Sequence, residues 1–194
     1  MATTINDIRF AVVRETGSTA IEHESVIQWC NDCNVDIGSV INVPADTFQI
    51  PLTTTDMTYA LPEDLKEINR LWLESDLEFE INRDLRVNYR IYNGKIEFRV
   101  PFRAEDTLNI DYYKFLIRFT EQDDEIDIPD RYASLYVSYC KMRYFELFST
   151  QTNIGLQIAQ RNSEFAAQMY NAMRNQIIQY YSFTNPDLVI KERW

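Results

Sequence analysis

Tyr89-Arg90-Ile91-Tyr92-Asn93-Gly94-Lys95-Ile96-Glu97-Phe98-Arg99-Val100 decides how the middle of this chain is read. Two alternating runs meet at Asn93-Gly94, a pair in which both residues tolerate positive φ. That pairing predicts a β-hairpin closed by a two-residue type I′ turn. On either side of it, from Ser39 to about Thr120, no period of 3.6 is sustained, and short extended runs alternate with turn residues. Strands are expected at residues 40–43, 47–52, 58–61, 68–73 and 79–81. A further strand over residues 107–119 places Leu108, Ile110 and Tyr112 on one phase and Phe115, Ile117 and Phe119 on the other, with the change near Tyr113 read as a bulge. The middle of the chain is therefore a small, mostly antiparallel sheet.

Helical patterns flank it. Ile5, Ile8, Val12 and Val13 have helical spacing, with Thr4 as N-cap and Gly17-Ser18 as the break. A second helix is expected from about Ala20 to Asp36. Thr19 and Glu22 have capping-box spacing there, Val26, Ile27, Cys30, Cys33 and Ile37 form the stripe, and Gly38 stands at the end. After the acidic run 121–128, Pro129 suits a first helical position. The helix it opens, to about Phe148, has one stripe of Ala133, Tyr136, Val137, Cys140, Tyr144, Leu147 and Phe148. A second set, Tyr132, Leu135, Tyr139 and Met142, leaves little beyond Ser134, Ser138 and Lys141 for water. A helix apolar around most of its circumference is packed on several sides. After a polar break at 149–153, a last helix from about Ile154 to Tyr181 buries Leu156, Ala159, Ala166, Tyr170, Met173, Ile177 and Tyr181 and shows amides elsewhere. Pro186 ends it.

The fold class is thus α+β. Two short N-terminal and two long C-terminal helices form a helical bundle (residues 1–38 and 121–183), with the β insertion at 39–120 and an extended C-terminal tail at 184–194.

Composition narrows the function. The 194 residues include 30 acidic and 19 basic side chains, a formal net charge of −11. DNA affinity comes mainly from phosphate neutralisation by Lys and Arg, so this is not a surface built to grip nucleic acid. Three cysteines do not make a disulfide framework. The first residues lack a basic region followed by an apolar run, so no signal peptide is expected. No apolar stretch reaches about 18 residues, so no transmembrane helix is expected either. A reducing cytosol is the expected compartment.

Chemistry is sparse. His23 stands seven residues before Cys30-Asn31-Asp32-Cys33, but structural zinc wants four ligands and only Cys140 remains. A redox pair belongs at a helix N-terminus, whereas this one falls near the middle or end of a helix. Two cysteines three apart share a helical face and pack. The acidic run lacks the glycine and alternation of a calcium loop. No phosphate loop, G-x-S-x-G or HExxH occurs. The expectation is a chain with no catalytic, metal or cofactor residues and no enzymatic role. A hydrolase using paired carboxylates stays as an alternative class. Among the twelve tyrosines, Tyr112, Tyr113, Tyr180 and Tyr181 suit interface anchors or core positions equally.

The order of elements carries a resemblance. Two short helices come first. A β insertion then opens near Tyr59-Ala60-Leu61-Pro62-Glu63-Asp64. An acidic lead into Ile128-Pro129-Asp130-Arg131-Tyr132 follows, before two long helices. This pattern resembles the head-to-tail adaptor (gatekeeper, or tail tubular) proteins of tailed bacteriophages over nearly the whole chain. Leu65 and Thr58 depart from the aromatic and glycine that many relatives carry around the Y-x-L-P-x-D motif.

The resemblance implies a virion protein at the head–tail junction, made in the host cytoplasm. It would form a ring of twelve subunits docked beneath the portal protein, with the long helices as the wall and the sheet toward the downstream tail or nozzle protein. Genomic DNA would pass through without specific binding. Another virion subunit, for head closure or tail completion, is the nearest alternative. Within that picture the C-terminal tail is the expected portal-binding segment. Leu188, Val189 and Ile190 have high β propensity and suit strand addition, Trp194 suits an anchor, and Lys191 and Arg193 give a local positive end. The tail is expected to be disordered in the free subunit and to become ordered on the portal, the alternative being that it folds back on its own subunit.

Overall fold

The computed structural model describes residues 2–80, 89–149 and 156–184. These divide into two compact units, one built from residues 1–41 with 116–194 and the other from 42–115. The fold is α+β, as the patterning predicts: among the described residues, four α-helices with antiparallel sheets between the second and third.

In the helical unit, α1 (Ile5–Thr16) starts at a reciprocal capping box. Thr4 Oγ1 accepts from the Asp7 N–H, and the Asp7 carboxylate accepts from the Thr4 N–H. It ends at Gly17, whose φ of 70° is the left-handed conformation a C-cap requires. The second helix, α2 (His23–Gly38), begins three residues later than expected, and its N-cap Glu22 makes no side-chain capping bond. Burial of Ile21 is the reason. Its carbonyl accepts from Arg9 Nε at 3.0 Å, which holds residues 20–22 out of the helix. Gly38 is the last helical residue, and the cap is Ser39 in right-handed geometry, so the left-handed glycine stop occurs at Gly17 and not here.

Pro129 is not the first residue of a helix. Its extended ψ of 138° leads into a short 3-10 turn, Asp130–Tyr132, and α3 (Ala133–Ser149) follows. Leu135, Tyr136, Ser138 and Cys140 are buried in α3, which packs on α1, α2 and α4 together. Two expectations fail locally: Ser138 is buried and Leu147 is 57% exposed. The fourth helix, α4 (Leu156–Thr184), packs mainly on α3, burying Ala159, Ala166, Tyr170, Ile177 and Tyr181 from the predicted stripe.

The second unit contains β1 (Val43–Pro44), β2 (Phe48–Leu52), β3 (Thr58–Ala60), β4 (Leu65–Leu73), β5 (Asp76–Glu80), β6 (Tyr89–Tyr92), β7 (Lys95–Phe98) and β8 (Asp106–Lys114). They form two sheets where one was expected. The larger runs β1-β8-β4-β5, with β2 also on β8; the smaller runs β3-β7-β6. Among the described residues every strand pairing is antiparallel. Side chains from both sheets meet in one core: Ile50, Leu71, Leu108 and Ile110 from the larger, Tyr59, Ile96 and Phe98 from the smaller. The hairpin turn has Asn93 at φ 50° and Gly94 at φ 67°, the two positive values of a type I′ turn.

The bulge lies on the partner strand. Register shifts between Leu65 and Glu67 and between Ile68 and Arg70 fall on β4, opposite Asp111 to Lys114 of β8. β8 itself ends at Lys114 instead of running to Phe119. Of the strand expected at 79–81, Ile81 lies outside the described residues.

Candidate functional site

Residues 116–119 replace a strand neighbour with side chains from α2. Asn31 pairs with Phe119 in both directions: its Nδ2 donates to the Phe119 carbonyl at 3.0 Å, and its Oδ1 accepts from the Phe119 N–H at 2.8 Å. Asn34 Nδ2 donates to the Ile117 carbonyl at 2.8 Å, while the Ile117 N–H donates to Asp127 at 2.7 Å. The other end of the Asn34 amide accepts from Tyr136 Oη, inside the core. Two asparagines on one helix face therefore fix this segment, and Phe119 closes against the Tyr136 ring.

The acidic run is equally ordered. Ile126 and Ile128 are buried, and the carbonyls of Gln122 and Asp124 accept from the first N–H groups of α1, those of Asn6 (2.8 Å) and Ile5 (3.1 Å). Thr4 and Glu125 form an antiparallel bridge, and Thr3 N donates to Asp130 Oδ1 at 2.8 Å. These bonds satisfy donors that a helix start leaves open, at the end where negative charge is favourable. Asp124 accepts from the Glu121 and Thr120 N–H groups, and these bonds hold its carboxyl below the ordinary range. The run is a clamp on the N-terminus.

The cysteines lie in the core. Cys30, Cys33 and Cys140 are free thiols with no exposure, and the Sγ atoms of Cys30 and Cys140 are 3.7 Å apart. Burial pushes Cys33 and Cys140 well above the usual thiol range. His23 occupies the first turn of α2. Among the described residues, no group of three or more His, Cys, Asp or Glu is placed to hold a metal ion.

Tyrosines dominate the α3–α4 seam. The Tyr139 and Tyr170 rings meet edge to face at 5.1 Å, and Tyr132 and Tyr180 lie 5.6 Å apart with Arg131 over both rings. Tyr170 donates to Asp36, which also accepts from Arg174 Nε at 2.9 Å, fixing α4 to the end of α2. Burial raises the Tyr170 phenol strongly and pushes Tyr181 up to about 12. Both hydroxyls stay protonated at neutral pH; Tyr170 acts as a donor, and the Tyr181 ring meets that of Tyr180. In the β unit, Tyr112 is likewise pushed up to about 12 by burial, beside its acceptor Asp64, and both Tyr112 and Tyr113 are buried. The tyrosines weighed as anchors are thus largely interior.

Exposed apolar residues lie elsewhere. Ile158, Phe165 and Met169 stand on α4, Phe10 on α1, and Ile91 and Tyr92 on β6 beside the hairpin tip. The sequence signal for the α4 set is its spacing of seven and four residues, offset from the buried stripe. The residues predicted to bind the portal, Leu188, Val189, Ile190 and Trp194, lie outside the described residues. Among the described residues no helix is long and apolar enough to cross a membrane.

No curated protein matches the chain. The family described as SU10 adaptor protein matches it over residues 3–189, nearly from end to end. A chain matched over both its helical flanks and its β insertion shares the whole plan of that family, and this protein belongs to the SU10 adaptor family of phage head-to-tail adaptors, as a structural phage component.

Proposed function

We propose that this chain is one subunit of a twelve-membered ring that links the portal protein to the downstream tail or nozzle protein and surrounds an axial channel for genomic DNA. Membership of the adaptor family over residues 3–189 is the observation that carries this reading. The charge supports it. Twelve copies of −11 amount to about −132, and a wall of that sign repels phosphate and lets DNA slide. The work assigned to the protein is mechanical, at the head–tail junction of the virion, and no reaction is assigned to it.

Contact with the portal is assigned to the C-terminal segment. Leu188, Val189 and Ile190 add as a strand to a portal sheet edge, Trp194 anchors the end, and Lys191 and Arg193 steer an otherwise acidic chain toward an acidic partner. Two measurements test the reading. Native mass spectrometry of the chain with the portal of its own phage should give a portal complex carrying multiple copies. Deletion of residues 187–194 should abolish portal binding with melting nearly unchanged; a large drop in melting with binding retained would refute the tail assignment.

A further inference from the structure

Register sets the outward face of the smaller sheet. Tyr89 lies opposite Phe98 and Ile91 opposite Ile96 across the hairpin, so these four share one side, where Ile96 and Phe98 fill the core. Arg90 lies opposite Glu97 and Tyr92 opposite Lys95 on the other side, and there Arg90, Tyr92 and Lys95 are exposed. Thr58 and Ala60 of β3, opposite Glu97 and Lys95, extend that side with two exposed, uncharged residues. The acids nearest to β3 in sequence, Asp56 and Glu63, fall beyond its two ends. Arg99 directly follows β7 and lines an open hollow of about 280 Å³ with Tyr89, Arg90, Glu97 and Phe98.

This region reverses the charge of the chain. Residues 89–103 carry four cations, Arg90, Lys95, Arg99 and Arg103, against the single acid Glu97, a net +3 that leaves −14 for the remainder. All four cations are exposed. Glu97 accepts from Arg90 Nε at 2.8 Å and Nη2 at 2.7 Å, yet the Arg90 side chain stays 73% exposed. Among the described residues, Lys95, Arg99 and Arg103 make no ion pair. The comparable run at 131–143 has its cations engaged: Lys141 with Glu15, Arg143 with Glu146, and Arg131 over two tyrosine rings.

Open cations on a sheet face suit an anionic occupant, and the composition of the face selects which. The centre of a protein–protein interface is depleted in charge and rich in aromatic rings, whereas protein–DNA contacts are polar and strongly positive. Tyr92 is the one ring on this side among the described residues, too few for the serial base stacking that holds single strands. A guanidinium fork matches a phosphate group, and a two-stranded ribbon is an element that the major groove of a duplex admits.

We propose that the β6–β7 ribbon contacts the phosphate backbone of duplex DNA through Lys95 and Arg99, with Arg90 oriented beside them by Glu97 and Arg103 adding to the local positive field. Phosphates carry no sequence information, so the contact is indifferent to sequence. It rests on the channel reading for how DNA reaches the subunit, and gives an otherwise repelling wall one point of touch in each copy.

The test is fluorescence anisotropy of the full chain with a labelled mixed-sequence duplex, titrated at several salt concentrations. Wild type should bind at low salt, with an affinity that falls steeply as salt rises. Lys95→Gln combined with Arg99→Gln should weaken binding at least several-fold and lower the slope of log affinity against log salt by about 0.9 per cation removed. Glu97→Gln, which removes the acid from the face, should tighten binding. Arg14→Gln combined with Arg161→Gln makes the same change in net charge at exposed helical positions and should leave affinity nearly unchanged. No binding at low salt, equal weakening by the two double variants, or displacement by polyglutamate as readily as by unlabelled duplex overturns the contact and leaves the ring reading standing. A portal-bound ring without an axial opening overturns the reading beneath it.

Discussion

Tyr136 Oη donates to Asn34 Oδ1, joining two buried side chains 102 residues apart, one on α3 and one on α2. The same amide donates to the Ile117 carbonyl, so a single asparagine ties the central helix to the segment leaving β8. A buried amide satisfied at both ends stabilises the fold modestly, and leaving one end open is expensive. Tyr136→Phe should therefore cost about 1–2 kcal/mol in urea unfolding. Asn34→Ala, which strands both Tyr136 Oη and the Ile117 carbonyl, should cost roughly 3 kcal/mol. The double variant should cost less than the sum, because the shared bond is lost once. Additive losses would mean the bond carries no coupling.

Acid should loosen the N-terminal clamp. Asp7, Asp124 and Asp130 all have carboxyls held below the ordinary range by hydrogen bonds, from Thr4, from Glu121 and Thr120, and from Thr3 respectively. Each folded-state pKa lies below its unfolded value. As pH falls, the unfolded chain takes up protons first, so this contribution is complete above about pH 4 and is lost as pH drops through the lowered folded values. Melting temperature measured from pH 6 downward should be flat and then decline below about pH 4. Asp124→Asn should start lower and decline less steeply. Parallel curves for the two proteins would count against the clamp.

The thiols give a third check. Cys30, Cys33 and Cys140 are fully buried, so an aromatic disulfide reagent should modify none in the native chain and all three after denaturation. Cys30→Ala or Cys33→Ala should cost on the order of 1 kcal/mol and still fold. Elemental analysis should find no stoichiometric zinc; about one zinc per chain would overturn the reading of the C-x-x-C as core packing.

What was legible in the sequence was local. Thr4 with its helix, Asn93-Gly94 with its hairpin and the buried stripe of α4 each depend on neighbours within a few residues, and periodicity or turn chemistry reports those. What was hidden depends on distant partners. Phe115, Ile117 and Phe119 alternate like strand residues, yet residues 116–119 hydrogen-bond to side chains on α2 and in the acidic run, and no local pattern announces that Asn31 and Asn34 face them. Ile21 is drawn into the core and delays α2 for the same kind of reason. At the candidate site, the amide-rich character of α4 was visible in its composition. The exposure of Phe165 and Met169 was not, because only packing on α3 decides which of two apolar lines on a helix is buried.

The central claim is that this adaptor works as a ring. Electron microscopy of the chain bound to the portal of its own phage tests that most directly. The account predicts a closed annulus of many copies, twelve on a twelve-fold portal, around an open axial channel. A single bound copy, or copies in a non-annular arrangement, would contradict it.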